Sequence, residues 1–360
     1  MLNRQNSGIA LDFGLMRNGV REQRLARGIG QAELAEQAGV TRQTIGAIEA
    51  ERHSPSVDAA MRIARALGLS VETLFASSDS SADQPSVCVS GPIPKGTPVV
   101  TAQVGTQKVY APLRHLLSAS ESWAIADGFW GDDGVEAFTE TNDPSRLVVG
   151  GCDPLLGLAA SVLERRRGPI VVPVHLSTGA AVSALSKGVV HGVVVHGRKG
   201  TLPKQPFNVR RWRFASWQVG VASSASRREA MTIEQMAERK LRTAQREDGA
   251  GTQRALQRAL TAVGAPGLPG PRVDGHIDAA RHVVAGIPAG ITMEAAARAF
   301  GLDFLPLETH HSELWIDARH ADHKGAVALV SLLCDNALVS RAQRLPGYEI
   351  NHMGTEVLAS

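Results

Sequence analysis

Four groups of side chains in this 360-residue chain have types and spacing suited to definite chemistry. The first is Gln31, Thr41, Arg42, Gln43, Thr44, Ala47 and Arg52. Arg and Gln make paired hydrogen bonds to guanine and adenine edges in a major groove, while Thr and Ala meet methyl groups or sugar. Gln31 opens a helix that can approach a phosphate, and Arg52, with His53 and Ser54, suits backbone contact. The second group is Asp153, Ser177 and Thr178, and the third is Gly249, Gly251 and Thr252. Both sit at strand-to-helix junctions. Helix N-termini hold anions through unpaired N–H groups and the helix dipole, hydroxyls add donors, and glycines let backbone come close. The fourth group is His191, His196 and His276, imidazoles expected to border the same rim and to bond a ligand or sense pH.

Other chemistry is excluded by pattern. His310, His311, His320 and His323 match neither HExxH nor a Cys/His zinc spacing, and neighbours on a strand point to opposite faces, so no metal and no cofactor are expected. Cys88, Cys152 and Cys334 are odd in number and lack a CxxC pair, which fits buried thiols in a reducing compartment. There is no GxSxG and no GxxxxGK[ST], and no pair of carboxylates is spaced as acid and base, so no catalytic residue is expected.

The elements that must position these groups fall into two textures. In the segment Gly30–Pro55, Leu34, Ala35 and Ala38 share one apolar helix face, Gly39 permits a backbone reversal and Val40 plugs the turn. Thr41 caps a second helix with Ile45 and Ile48 inward, and Ala60, Ile63, Ala64, Leu67, Leu69, Leu74 and Phe75 close the bundle. The run 76–86 is small and polar, as a linker is. From Val87 the chain is rich in Val, Thr, Gly and Pro, and from Leu147 strands alternate with helices. Strands are expected at Leu147–Val149, Ile170–Val174, Gly188–Gly197 and Phe304–Leu307, with helices after Asp153, Ser177 and Gly251 and near Met293 to Phe300. Such alternation implies a mostly parallel sheet whose ligands sit where strands end and helices begin.

Composition bounds the partners. Lys and Arg number 38 against 35 Asp and Glu, a net charge of +3, so no broad basic field drives nucleic-acid binding and any DNA contact is local. Aromatics at 4% leave no stacking platform for single strands. No apolar run approaches the roughly 18 residues that span a bilayer, and the first residues lack an apolar signal core, so a cytoplasmic protein with no membrane partner is expected. The expected organisation is a loose tail over 1–16, a helical domain over 17–76, a linker over 77–86 and a larger domain over 87–360 with a β-rich lead-in over 87–146.

Gln31-Ala-Glu-Leu-Ala35, Gly39-Val-Thr-Arg-Gln-Thr-Ile45, Ile48-Glu49 and Pro55-Ser56 resemble the λ-repressor and Cro-like, or xenobiotic-response-element-type, helix-turn-helix. The resemblance implies a regulator that binds double-stranded DNA, often as a homodimer, with its second helix in the major groove. Residues 147–349 resemble the type II periplasmic-binding-protein fold, related to molybdate- and tungstate-binding proteins, through "GCDPLLGLAA", "GVVHGVVVHG", "DGAGTQ", "HIDAARHVVAGIPAGITMEAAARAFGLDFLPL" and "LPGYE". That implies a small-molecule or oxyanion ligand in a cleft between two α/β lobes, and an α plus α/β fold class overall. Where relatives commonly read Gly-Ser-Gly-Thr-Arg, this chain has Gly249-Ala-Gly-Thr-Gln253, lacking a hydroxyl and a cation. The alternative class is an enzyme tethered to DNA by the helix-turn-helix, with His276 or Cys152 acting in the cleft. A third is a DNA-binding scaffold with an empty cleft.

Overall fold

The computed structural model describes residues 19–50, 52–53, 55–69, 71–75, 87–113, 122–123, 125–132, 134–138, 143, 145–224 and 231–358, so the expected tail and linker lie outside the described residues. The chain divides into two compact units, Met1–Pro85 and Ser86–Ser360.

The first unit is helical: α1 Val20–Ala26, α2 Gln31–Ala38, α3 Arg42–Glu49, α4 Val57–Ala66 and α5 Val71–Leu74. Gly39 ends α2 in the left-handed region at φ 61°, a conformation glycine adopts without steric cost. Two residues on, the Thr41 hydroxyl accepts from the Thr44 N–H at 3.0 Å and caps α3, as the sequence implied. Leu34, Ile45, Ile48 and Ile63 are fully buried in one cluster with Leu67, Leu74 and Phe75. Beside them Arg24 donates to Glu49 through Nε at 2.6 Å and Nη2 at 3.1 Å, and Gln31 donates its amide to the same carboxylate at 2.8 Å. This polar knot ties α1, α2 and α3 together.

The second unit opens with a small sheet, β1 Val87–Cys88, β2 Pro98–Val104, β3 Gln107–Pro112, β4 Gly128–Trp130 and β5 Val135–Ala137, in the order β1-β3-β2-β4-β5. The larger part follows: β6 Leu147–Gly151, α6 Pro154–Arg165, β7 Val171–His175, α7 Thr178–Ser186, β8 Gly192–Gly197, β9 Val209–Ser223, α8 Ile233–Glu238, β10 Thr243–Ala244, α9 Gly251–Ala262, α10 Gly275–Val284, β11 Ala289–Met293, α11 Glu294–Ala299, β12 Asp303–Asp317, α12 Lys324–Leu332, α13 Asn336–Ala342 and β13 Tyr348–Glu349. Its sheet runs β10-β11-β9-β12-β8-β6-β7, with β13 on β9.

Strands β6, β7 and β8 are parallel and read as near-continuous apolar runs because both faces are covered. Alternation sorts their side chains: Leu147, Val149 and Val194 join the helix-covered core. Val148, Val193 and Val195 pack under Val89, Val100 and Val109 of the lead-in sheet.

Two strands exceed expectation. The region near Phe304–Leu307 extends to Asp317, and Val209–Ser223, for which no strand was expected, pairs with it antiparallel over its whole length. Pro306 and the polar alternation after it obscure one continuous strand, because Pro cannot donate to the ladder and the register shifts between Pro306 and Glu308. This pair joins the β6–β8 lobe to the β10–β11 lobe, giving the two-lobed α/β architecture. Among the described residues no single helix is long and apolar enough to cross a membrane, and the bent pair α12 and α13 that passes together buries Leu329, Leu332 and Leu338 in the core.

Burial works to raise the Glu49 carboxyl, but the hydrogen bonds and charge of Arg24, with Gln31, prevail and hold it below its ordinary value. A depressed carboxyl stabilises the fold fully above the unfolded value of about 4.3 and loses that contribution as pH falls through the lower folded value. Glu49→Gln is expected to destabilise the N-terminal unit by about 3 kcal/mol at neutral pH. Hydrogen exchange at the buried Leu34 and Ile45 amides reads this, and the gap to wild type should narrow in acid.

Candidate functional site

A cleft of about 370 Å³ opens where the two lobes meet. One wall is the start of α7, with Thr178 and Gly179, and the end of β8, with His196, Gly197 and Arg198. The other is Gly249, Gly251, Arg254 and Arg258 at and beyond the start of α9, and His310 of β12 lies between them. Thr178, His196, Gly249 and Gly251 are thus brought together as the sequence reading expected.

Gly251 has a specific reason to be glycine. A Cβ there would lie 3.1 Å from His310 Cε1 and 3.4 Å from His196 Cε1, so a side chain at this position would press the α9 N-terminus against the two imidazoles.

Behind the cleft wall lies a buried Cys/His group. His196 Nε2 is 3.1 Å from Cys152 Sγ, and His276 Nε2 is 3.7 Å from the same sulfur. On its other side His196 Nδ1 meets His310 Nδ1 at 3.0 Å, and His310 Nε2 lies 2.6 Å from Glu308 Oε1. Glu308 in turn accepts from Arg258 at 2.6 Å. The Trp217 ring packs 4.8 Å from His196 and edge-on to His276 at 5.3 Å. Burial pushes His196 and His276 well below the ordinary imidazole value, helped by the neighbouring Arg246 charge, so both rings are neutral at neutral pH. Burial also pushes the Cys152 thiol up to about 12, the reverse of what activates a nucleophile.

Three polar atoms around this group are buried without a hydrogen-bond partner: Arg246 Nη1, Thr252 Oγ1 and His276 Nδ1. Thr252 and His276 stand at the starts of α9 and α10, and the charge of Arg246 bears on Cys152, His196 and His276. The departure at Gln253 is explained here. Its amide oxygen accepts from the Arg246 N–H at 3.0 Å and its amide nitrogen donates to Gln245 at 2.9 Å, so the glutamine fastens the segment that brings its own cation inward.

Several expectations are corrected. The Asp153 carboxylate is not free for a ligand: it accepts from Leu155 N–H at 3.0 Å, Trp217 Nε1 at 3.0 Å, Ser312 Oγ at 3.2 Å and Tyr348 OH at 2.5 Å. It caps α6 and pins β9, β12 and the C-terminal segment to it, and burial raises its carboxyl above the ordinary value despite those donors. The Thr178 hydroxyl bridges the N–H and C=O of His196, so it shapes the cleft wall rather than offering a spare donor. Ser177 is the residue before α7, half-buried, and makes no side-chain cap. His191 lies away from the cleft, its Nδ1 accepting from the Val148 N–H and its ring 4.8 Å from those of His320 and His323. The loose histidine group is therefore split, since His310 faces the cleft and His311 bonds Ser216 at 2.8 Å. Of the three thiols only Cys152 is buried; Cys88 is half-buried and Cys334 exposed.

Arg198, Arg254, Arg258 and His310 of the cleft, and Arg246 behind it, were not singled out for this site by the sequence. No motif marks them, although Arg254 and Arg258 follow Gly251 on one helical face at i, i+4, a signal legible without the structure. A larger groove of about 910 Å³ beside β9 and β12 shares Arg198 and Pro203 with the cleft. Its buried carboxylate, Glu313, is already held by Arg211 and the Trp315 indole, and none of the unpaired buried atoms of Arg246, Thr252 and His276 lines it.

In the first unit, Thr41, Arg42 and Gln43 are exposed, and Thr44 and Ala47 half-exposed, at α3 positions other than the buried Ile45 and Ile48, and Arg52 is exposed beyond the end of α3. Gln31 spends its side chain on Glu49, leaving the start of α2 to offer backbone N–H groups.

An exposed polar helix face behind a tight turn, and a two-lobed domain with a donor-lined cleft, define a helix-turn-helix protein joined to a binding domain. Residues 20–74 match the helix-turn-helix family and residues 160–334 the PBP superfamily domain. An uncharacterized HTH-type transcriptional regulator of Methanothermobacter thermautotrophicus is 56% identical over 61 residues, 17% of this chain and 88% of that protein. YgzD of Bacillus subtilis, likewise an HTH-type regulator, is 42% identical over 60 residues, 17% of this chain and 91% of that protein. The chain belongs to the helix-turn-helix transcriptional regulators. Among solved structures, the tungstate ABC transporter from Geobacter sulfurreducens is similar at 16% identity and a TM-score of 0.42, covering 54% of this chain and 96% of that one. The regulatory domain of MexT, a transcriptional activator in Pseudomonas aeruginosa, is similar at 14% identity and a TM-score of 0.42, covering 52% of this chain and 96% of that one.

Gly251→Val is expected to push His310 and His196 apart and destabilise the second unit by about 1–3 kcal/mol. Urea unfolding followed by tryptophan fluorescence measures it, and an unchanged midpoint would show that the helix start is not held against the two rings.

Proposed function

We propose that this protein is a one-component transcriptional regulator that binds operator DNA as a homodimer through α3 and senses a small anion at the junction of the two lobes of its second unit, behind the cleft wall. The observation that carries the sensing half is the set of buried donors without partners, Arg246 Nη1, Thr252 Oγ1 and His276 Nδ1. A buried polar group without a partner is costly, and a guanidinium with a free N–H is most costly of all. An oxyanion accepts from such groups and from the N-termini of α9 and α10, and so removes that cost.

The two lobes supply a route from binding to output. Thr178 and His196 belong to one lobe and Thr252, Arg246 and His276 to the other. An anion that bonds both lobes favours the closed arrangement by the difference in its affinity for the two states, and that difference is the coupling energy available to change DNA affinity. For the reading half, Arg42 and Gln43 are exposed, and they stand at the N-terminal end of α3, where a helix laid in a major groove meets base edges. Residues 17–75 carry eight Arg against seven Asp and Glu, so affinity rests on paired half-sites and specific contacts rather than bulk charge.

Arg42→Ala or Gln43→Ala is expected to abolish the specific footprint on the promoter DNA upstream of the gene while circular dichroism stays unchanged; an intact footprint contradicts the DNA reading. In the full chain, molybdate or phosphate at about 100 times its Kd should stabilise the second unit by about 2.7 kcal/mol. Arg246→Met and Thr252→Val should each remove most of that thermal shift with DNA binding retained. A wild-type shift in both variants would move the pocket elsewhere.

A further inference from the structure

The geometry points to a site for one thiophilic metal ion, monovalent copper, held by Cys152 Sγ, His196 Nε2 and His276 Nε2 behind the cleft. The three donor atoms lie within 4.8 Å of one another, and all three residues are buried. Metal–sulfur and metal–nitrogen bonds of about 2.3 and 2.0 Å place such donors about 3.5 Å apart. The observed separations of 3.1 and 3.7 Å bracket that figure.

The hydrogen bonds around His196 fix which nitrogen is bare. Glu308, paired with Arg258, accepts from His310 Nε2–H, which leaves His310 Nδ1 as an acceptor. His196 Nδ1–H then donates to it at 3.0 Å, so His196 Nε2 presents its lone pair to Cys152. A carboxylate that orients one imidazole through a second is the outer-shell support that metal-binding histidines require.

The choice of ion follows from softness and charge. One thiolate with two imidazoles selects copper(I) or zinc over harder cations. On binding, the sulfur–hydrogen bond breaks, the proton leaves to solvent and the thiolate pair forms the metal–sulfur bond. A monovalent ion plus a thiolate is neutral, whereas a divalent ion leaves a net positive charge in a buried place where Arg246 already acts on Cys152 and both imidazoles.

The site also spans the lobes. Cys152 follows β6 and His196 lies near the end of β8, both in the first lobe, while His276 stands in the first turn of α10, which packs on β11 in the second. A bound ion therefore bridges the two lobes. This inference does not rest on the anion reading, because its readouts are affinity and spectrum for the metal alone.

The test titrates Cu+ into the anaerobic, reduced full-length protein against a chromophoric chelator, with Zn2+ as a competitor. One equivalent of Cu+ should bind and give an ultraviolet thiolate charge-transfer band. Cys152→Ser and His276→Gln should each weaken Cu+ by more than about 100-fold, and His310→Gln by about 10- to 100-fold. Circular dichroism of each variant checks its fold, and His310→Gln keeps the test open if a ligand variant unfolds. Wild-type affinity no higher than that of Cys152→Ser, absence of the band, or preference for Zn2+ over Cu+ overturns the assignment.

Discussion

The antiparallel pairing of Val209–Ser223 with Asp303–Asp317 organises the second unit. Each strand is long enough to serve one lobe with its first half and the other with its second, so the parallel strands β6 to β8 and the short strands β10 and β11 hang from a single ladder. Because the ladder is continuous, residues near its middle occupy the junction of the lobes. His310 and Ser312 stand there, one facing the cleft and one reaching Asp153. The bulges at Pro306/Glu308 and Ser312/Glu313 interrupt the regular register on either side of them. A bulge twists and bends its strand, which is how one ladder can serve two lobes of different orientation.

Around that junction the protein concentrates polar groups that are costly to bury. Asp153 is stabilised by four donors, and Glu308 by Arg258 and His310. These satisfied groups hold the scaffold. Arg246, Thr252 and His276 differ in leaving an atom unpaired. Side by side, the two sets differ in what is left over: the first is spent on rigidifying the junction, and the second keeps hydrogen-bonding capacity unspent.

The first unit divides its polar residues in the same way. Arg24, Glu49 and Gln31 turn inward and lock three helices, while Arg42 and Gln43 face outward and make no such contact. The Thr41 cap and the left-handed Gly39 fix the angle at which that outer face is presented.

The helix-turn-helix was legible residue by residue because its determinants are local: a glycine turn, a hydroxyl cap and apolar positions three and four apart act within one or two helical turns. Helix starts at Asp153, Ser177 and Gly251 were legible for the same reason, and so was the strand and helix alternation. The two long strands were not, since Trp, Arg and Ser alternating in β9 give little signal until the partner strand covers them. Nor could sequence divide Asp153 and Thr178, whose polar atoms are consumed internally, from Thr252 and Arg246, whose polar atoms are left over. Cys152, His196, His276 and His310 come from four separate elements far apart along the chain, yet neighbouring members meet at hydrogen-bond distance. Spacing along the chain determined which elements form; only the packing of two lobes on one ladder decided which side chains share a site, because hydrogen-bond satisfaction is a property of neighbours in space.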